Sequence, residues 1–219
     1  MWLGGTLFLL AAQGATAAAL TNLVANGAFE DPAAGDPRRP AGWALPDGVG
    51  VRWEAGTEGT DGRAIWMNTR ISESQMVASW RACGLTNLWD IPNPAGNAIA
   101  DTYGLSYYSD AFPIVSGQVY RVRCQVYGAG GSKVWVRGYG PFRGRRVKRY
   151  EALMNCTGRA DAWTSNEMVF HPTEKRPEVD ELRVMLYAYD PPRRYGFDEV
   201  VVEPIERDTA PPVPAREGP

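Results

Sequence analysis

Polar and apolar positions alternate with a period of two over much of this chain, most clearly in its second half. In Tyr120 to Tyr127, Tyr120, Val122, Cys124 and Val126 share one face, and Arg121, Arg123, Gln125 and Tyr127 share the other. Gly128 to Gly131 reads as a hairpin turn, after which Val134-Trp135-Val136-Arg137 returns with the same alternation. Near the end, Leu182, Val184, Leu186 and Ala188 face one way, and Arg183, Met185, Tyr187 and Tyr189 the other. Phe197 to Val202 makes a closing strand. In the first half, Val49 to Trp53, Ala64 to Met67 and Gln75 to Ala82 read as further strands, and Cys83 to Asn97, broken by Pro92 and Pro94, as a long loop. No window sustains helical spacing, so no helix longer than a turn or two is expected. Short alternating strands separated by Gly and Pro predict an all-β antiparallel β-sandwich or jelly roll.

The first residues follow a different pattern. Met1 to Ala19 carry no charge, and an apolar run from Leu7 to Ala12 leads into small residues with two A-x-A sites. That is the form of a signal peptide, too short to span a hydrocarbon core of ~30 Å as a helix. The expected organisation is a signal peptide over 1–19, a β-sandwich over 20–205 and a Pro-rich disordered tail over 206–219. The expected localisation is secreted, periplasmic or cell-surface, with no membrane span.

Composition narrows the function classes. With 23 basic and 25 acidic residues, the global charge offers no case for nucleic acid. The 24 Gly, 17 Pro, 8 Trp and 10 Tyr suit a turn-rich, aromatic β protein. Three cysteines, Cys83, Cys124 and Cys156, cannot all pair within one chain; one disulfide with one buried thiol and three free thiols are both open. His171 is the only histidine, and no Gly-x-Ser-x-Gly elbow accompanies it. Glu178, Asp180 and Glu181 fall together, but the sequence offers no opposing partner for a carboxylate pair. The expectation is therefore no enzyme. Arg143, Arg145, Arg146, Lys148 and Arg149 form a basic loop or hairpin tip, either a solvated turn or a contact for acidic sugars or an anionic surface.

Sugar recognition needs flat aromatic faces flanked by planar polar groups. The polar-side faces of three strands supply them: Tyr127 from one, Trp135, Arg137 and Tyr139 from the second, and Arg183, Tyr187 and Tyr189 from the third. If the three strands are neighbours in one sheet, these residues form a continuous surface; aromatics in the same places also serve to stabilise a sheet. Trp53, Trp66 and Trp163 are assigned to packing.

Four segments carry a resemblance. Asn22-Leu-Val-Ala-Asn-Gly-Ala-Phe-Glu30 with Gly42-Trp43 resembles the opening strand of the CenC-like carbohydrate-binding modules, the group of families four, nine and twenty-two. Phe112 to Tyr120 resembles their proline-to-glycine turn into a core strand, Ala162-Trp163-Thr164 through Phe170 their late strand, and Tyr195 to Val200 their closing strand. The resemblance implies a galactose-binding-like jelly roll that binds polysaccharide or another glycan. It also implies a structural Ca2+ joining the first strand to the last, held by Glu30 and Asp198, backbone oxygens near Ala28 and Asp198, and an acidic group near Asp61. The stretches Cys83–Asn97 and Arg143–Arg149 depart from the family pattern. The alternative function is a structural or adhesive sandwich making protein contacts at a cell surface.

Overall fold

The computed structural model describes residues 22–56, 62–84, 91 and 93–206. Five strands form the first sheet in the order β10 (Trp163–Phe170), β7 (Val119–Tyr127), β12 (Arg194–Ile205), β4 (Arg63–Asn68) and β3 (Val51–Ala55). In the second sheet, β11 (Glu181–Ala188) pairs with β8 (Ser132–Phe142), which pairs with β9 (Arg145–Asn155). The other edge of β11 is shared by β5 (Leu105–Tyr108) and β6 (Phe112–Pro113). A small ribbon joins β1 (Pro32–Ala33) to β2 (Asp36–Pro40). All of these pairings are antiparallel.

Alternation decides what lies between the sheets. Tyr120, Val122, Cys124 and Val126 of β7 are buried in one core cluster with Val134 and Val136 of β8 and Leu182, Val184 and Leu186 of β11. Trp43 is fully buried at one end, stacked on Tyr107 at 5.6 Å and 3° and tilted on Phe29 at 4.7 Å. Its indole N–H donates to Ala25 O at 3.1 Å, so Trp43 leaves no buried donor open.

Three expectations are corrected. Gln75 to Ala82 is not a strand: Glu73–Ala82 is a ten-residue helix, α1. Met76, Ala78, Trp80 and Ala82 happen to alternate with period two, but Glu73, Met76, Val77 and Trp80 are the residues it buries, at helical spacing. Ser72 starts it, accepting from the Gln75 amide at 3.2 Å while the Gln75 side chain accepts from Ser72 N at 3.1 Å, a capping box.

The opening segment Asn22–Glu30 is turn-rich rather than a strand. It lies on β12 all the same: Leu23 N donates to Val202 O at 2.8 Å and Val200 N to Gly27 O at 2.8 Å. It takes up the edge of β12 that β4 leaves free after Phe197. The approach is so close that a Cβ on Gly27 would stand 1.8 Å from Val200 O.

Gly128–Gly131 does not make a hairpin. The chain crosses there from β7 in the first sheet to β8 in the second. Gly128 and Gly130 have φ of 100° and 136°, conformations that suit glycine, and the segment lies against the crossing from β11 to β12, which runs between the sheets in the opposite sense. Gly131 N donates to Asp190 O at 2.6 Å, and Tyr189 N to Gly131 O at 3.0 Å. The basic stretch contains the true hairpin: Arg143 and Gly144 are a two-residue turn with φ of 48° and 75°, and Arg145 to Arg149 belong to β9.

The capping box makes a direct prediction. Ser72→Ala removes the acceptor for the Gln75 amide and should cost about 1 kcal/mol. Urea unfolding should show a lower midpoint with an unchanged slope.

Candidate functional site

The outward face of the second sheet is built by the same alternation that buries Val134, Val136, Leu182, Val184 and Leu186. Register sets its rows. Tyr108, Met185, Trp135 and Leu153 lie side by side across β5, β11, β8 and β9. The next row places Arg183 opposite Arg137, and Arg137 opposite Glu151. Beyond it Glu181 faces Tyr139, which faces Lys148 across a bulge at Gly138/Tyr139. On the other side of the apolar row, Ser106, Tyr187, Lys133 and Asn155 are neighbours.

Six of the seven expected ligand residues therefore share this face: Trp135, Arg137, Tyr139, Arg183, Tyr187 and Tyr189. Arg137 is held in place. Its Nη1 donates to Tyr108 Oη at 3.1 Å and its Nε to Glu151 at 3.0 Å, and its guanidinium lies 5.8 Å from the ring centres of both Trp135 and Tyr108. Tyr187 and Tyr189 stack at 5.6 Å and 29°; Tyr187 Oη donates to Tyr103 O at 3.0 Å, and Lys133 Nζ sits 4.8 Å over Tyr189. Burial raises the Tyr187 phenol above its ordinary value. Arg183 has a buried Nε without a partner. With Arg137 directly opposite and its carboxylate partner already shared with Lys148, this part of the face has an unmet demand for an acceptor.

Tyr127 does not belong here. It projects from the outer face of the first sheet, where it packs with Trp66 and Trp163 at ring separations of 5.6 Å and steep mutual angles. Trp66, at 2% exposure, lies under the Arg194 guanidinium at 4.1 Å. The two tryptophans close over Gly196, whose Cβ would meet Trp163 at 2.8 Å and Trp66 at 2.9 Å. These aromatics pack the sheet, as assigned for Trp66 and Trp163. Trp53 is half-buried, donates to Phe29 O at 2.7 Å and carries Arg63 at 4.3 Å over its ring.

Tyr108 is the residue that sequence reasoning missed. Leu105-Ser106-Tyr107-Tyr108 alternates, with Leu105 and Tyr107 inward, but at four residues it is too short to stand out beside the Pro- and Gly-rich stretch before it.

The carboxylates and the basic stretch find each other. Arg146 bonds both Asp180 and Glu181, Arg149 bonds Glu178 at 2.8 Å, and Lys148 bonds Glu151 at 2.6 Å. Paired so, Glu178, Asp180 and Glu181 are counterions rather than a facing acid–base pair. His171 follows β10, half-buried, at a cleft of about 700 Å³ between the edge strands β9 and β10.

At the opposite side of the molecule, Asp198 is 4% exposed on β12 and accepts from the Glu199 amide at 2.7 Å. Its carboxyl is pushed up to about 7, by burial first and then by the charges of Glu199 and Glu30. Glu30 Oε1 accepts from Arg63 N at 2.9 Å. Ala28 lies in the adjoining turn, and Phe29 and Glu199 both take left-handed backbone, φ 58° and 49°. Asp61 lies outside the described residues. Among the described residues no group of three or more His, Cys, Asp or Glu side chains is placed to hold a metal ion. The donor chemistry nevertheless suits a hard cation: a buried carboxylate without a cationic partner, beside a second carboxylate and tightly turned backbone.

No protein-family model matches this sequence, and none of the curated proteins matches it. Among solved structures, it is similar to the enzymatically active domain of tailspike protein 4 of bacteriophage CBA120, with a TM-score of 0.52 and 10% identity over 84% of this chain and 21% of that one. It is also similar to a family 16 carbohydrate-binding module, at a TM-score of 0.49 and 13% identity over 84% of this chain and 100% of that one. A third is the CBM22-1 xylan-binding domain of Paenibacillus barcinonensis Xyn10C, at 0.44 and 12%, covering 86% and 99%. The likeness concerns the fold alone, an antiparallel β-sandwich. No helix among the described residues is long and apolar enough to cross a membrane.

Tyr189 is positioned by the absence of a side chain at Gly131, where a Cβ would stand 2.3 Å from its ring. Gly131→Ala should push Tyr189 off Tyr187 at a cost under about 1 kcal/mol, since a side chain can swing aside more cheaply than backbone. Near-UV circular dichroism should change while the far-UV spectrum stays the same.

Proposed function

We propose that this chain is a non-catalytic glycan-binding module whose site is the outward face of β5, β11, β8 and β9. The observation that carries the reading is the row of half-buried Tyr108, Trp135 and Leu153, in which Met185 is buried at 4% exposure between the two rings, flanked by Arg137 and Arg183. An apolar, aromatic strip can receive the C–H face of a sugar, and the two guanidiniums beside it can bond hydroxyls or a carboxylate in the ring plane. Arg137 is pre-set by Tyr108 and Glu151, so little side-chain entropy is lost on binding. Arg183, with an unpartnered Nε, would gain an acceptor from the ligand. The pairing of Glu178, Asp180 and Glu181 with Arg146 and Arg149 supports binding over hydrolysis. Export of the chain rests on the leader pattern of residues 1–19.

Affinity electrophoresis through soluble neutral and uronic acid-containing polysaccharides tests this. Retardation is expected on at least one. Trp135→Ala and Arg183→Ala should each weaken it by about tenfold or more, and Tyr127→Ala on the opposite sheet by less than about twofold. Loss of retardation in the Tyr127 variant, or none on any glycan by the folded protein, contradicts the reading.

Calcium belongs to the same proposal as a structural ion. Glu30 and Asp198, with backbone oxygens near Ala28 and Asp198, would hold it, and the ion would supply charge compensation where the opening segment meets β12. The sign of the pH effect follows from Asp198. Its folded value is raised, so in chelator the unfolded chain ionises first and stability falls as pH rises from about 4 to about 7. At pH 8 in chelator, Asp198→Asn should therefore be at least as stable as the wild type. Added calcium should raise the thermal midpoint of the wild type and leave that of Asp198→Asn unchanged. Equal calcium responses in both proteins would remove Asp198 from the site.

A further inference from the structure

The passage from β9 to β10 carries the chain from the second sheet back to the first, and it runs directly over Cys124. Cys124 lies on the inward face of β7 at 1% exposure, with Asn166 opposite it on β10. The Asn166 carboxamide reaches across to the crossing chain: it accepts from Thr157 N at 2.7 Å and donates to Thr157 O at 3.0 Å. Further along, Gly128 N donates to Arg159 O at 2.8 Å, and a Cβ on Gly158 would meet Gly128 O at 2.1 Å. Cys156, the residue before this clamp, is tied to the second sheet by its amide, which donates to Ser132 O at 3.0 Å. At 9% exposure its thiol, unbonded like that of Cys124, sits in the same core cluster and donates to Met154 O at 3.8 Å. Backbone bonds on both sides thus hold two thiols together where the two sheets meet.

Cys83 is placed elsewhere. It closes α1, is exposed, and lines a pocket with Arg52, Trp53 and Glu54 of β3. In the first sheet β3 is three strands from β7, roughly 14 Å at the usual strand spacing, too far for either buried cysteine to bridge.

We propose that Cys124 and Cys156 are a disulfide site that ties the two sheets covalently when the chain folds in an oxidising environment, with Cys83 left as a free thiol. The oxidant is a low-molecular-weight organic disulfide such as oxidised glutathione. The more accessible Cys156 thiolate attacks one of its sulfurs, forming a mixed disulfide and releasing one glutathione thiolate. Cys124, losing its proton to solvent, then attacks the Cys156 sulfur and releases the second. Two protein thiols lose two electrons and two protons, and one organic disulfide becomes two thiols.

The test refolds the full chain in a mixture of oxidised and reduced glutathione, then unfolds it in acidic guanidinium and alkylates it with N-ethylmaleimide. One adduct, on Cys83, and a linked peptide pair containing Cys124 and Cys156 are expected. Cys83→Ser should take up no maleimide. Adding a phosphine reductant should lower the thermal midpoint of that variant by about 10 °C, the scale for a bridge closing a loop of this size in a domain of about 200 residues. Three adducts, or a bridge involving Cys83, overturn the assignment. A correct bridge whose reduction leaves the midpoint unchanged overturns its role as a tie.

Discussion

The architecture depends on two crossings that are pinned to each other at one end of the sandwich. Gly128–Gly131 carries the chain from β7 to β8, and the segment after Tyr189 carries it from β11 to β12. The bonds from Gly131 N to Asp190 O and from Tyr189 N to Gly131 O lock the two together. Thr69 adds a third chain, its hydroxyl donating at 3.1 Å to Tyr189 O and Arg193 O. Only glycine-rich chain can pass this closely, because a Cβ on Gly130 would stand 2.5 Å from both Pro191 and the Tyr195 hydroxyl. Once the crossings are fixed, β8 and β11 must lie side by side in one sheet, while β7 and β12 lie together in the other.

The candidate site follows from that placement. A strand offers two faces, and burying Val134, Val136, Leu182, Val184 and Leu186 leaves Trp135, Arg137, Arg183 and Tyr187 no direction but outward. The site is the reverse side of the core, and its geometry is as rigid as the core that turns it out. Its Arg137 is held against the Tyr108 and Trp135 rings and Glu151, which distinguishes it from the exposed, mutually neutralised charges at the β8–β9 hairpin.

What was legible in the sequence was the period of two. It identified the inward and outward residues of β7, β8 and β11, and with them the common outward face of six of the seven expected ligand residues. What was not legible was which strands are neighbours. A Gly-rich break between two alternating runs looks the same whether the chain turns back beside itself or crosses to the other sheet, so Tyr127 was grouped with Trp135 although the two lie on opposite outer faces. Residues Gln75 to Ala82 failed for a related reason: Met76, Ala78, Trp80 and Ala82 fit a strand, and only Ser72 with Gln75, a start signal outside the apolar pattern, distinguishes the helix. The proximity of Cys124 and Cys156 depends on a crossing held by Asn166, which no spacing rule reveals.

The most direct test of the central claim is a heteronuclear NMR titration of the folded protein with a soluble oligosaccharide taken from a polysaccharide that retards it. The indole signal of Trp135 and the amide signals of β8 and β11 around Arg137 and Arg183 should move together with increasing ligand, while those of Trp66, Trp163 and Tyr127 stay in place. Movement confined to the Trp66, Trp163 and Tyr127 signals would put the binding face on the other sheet and contradict the account.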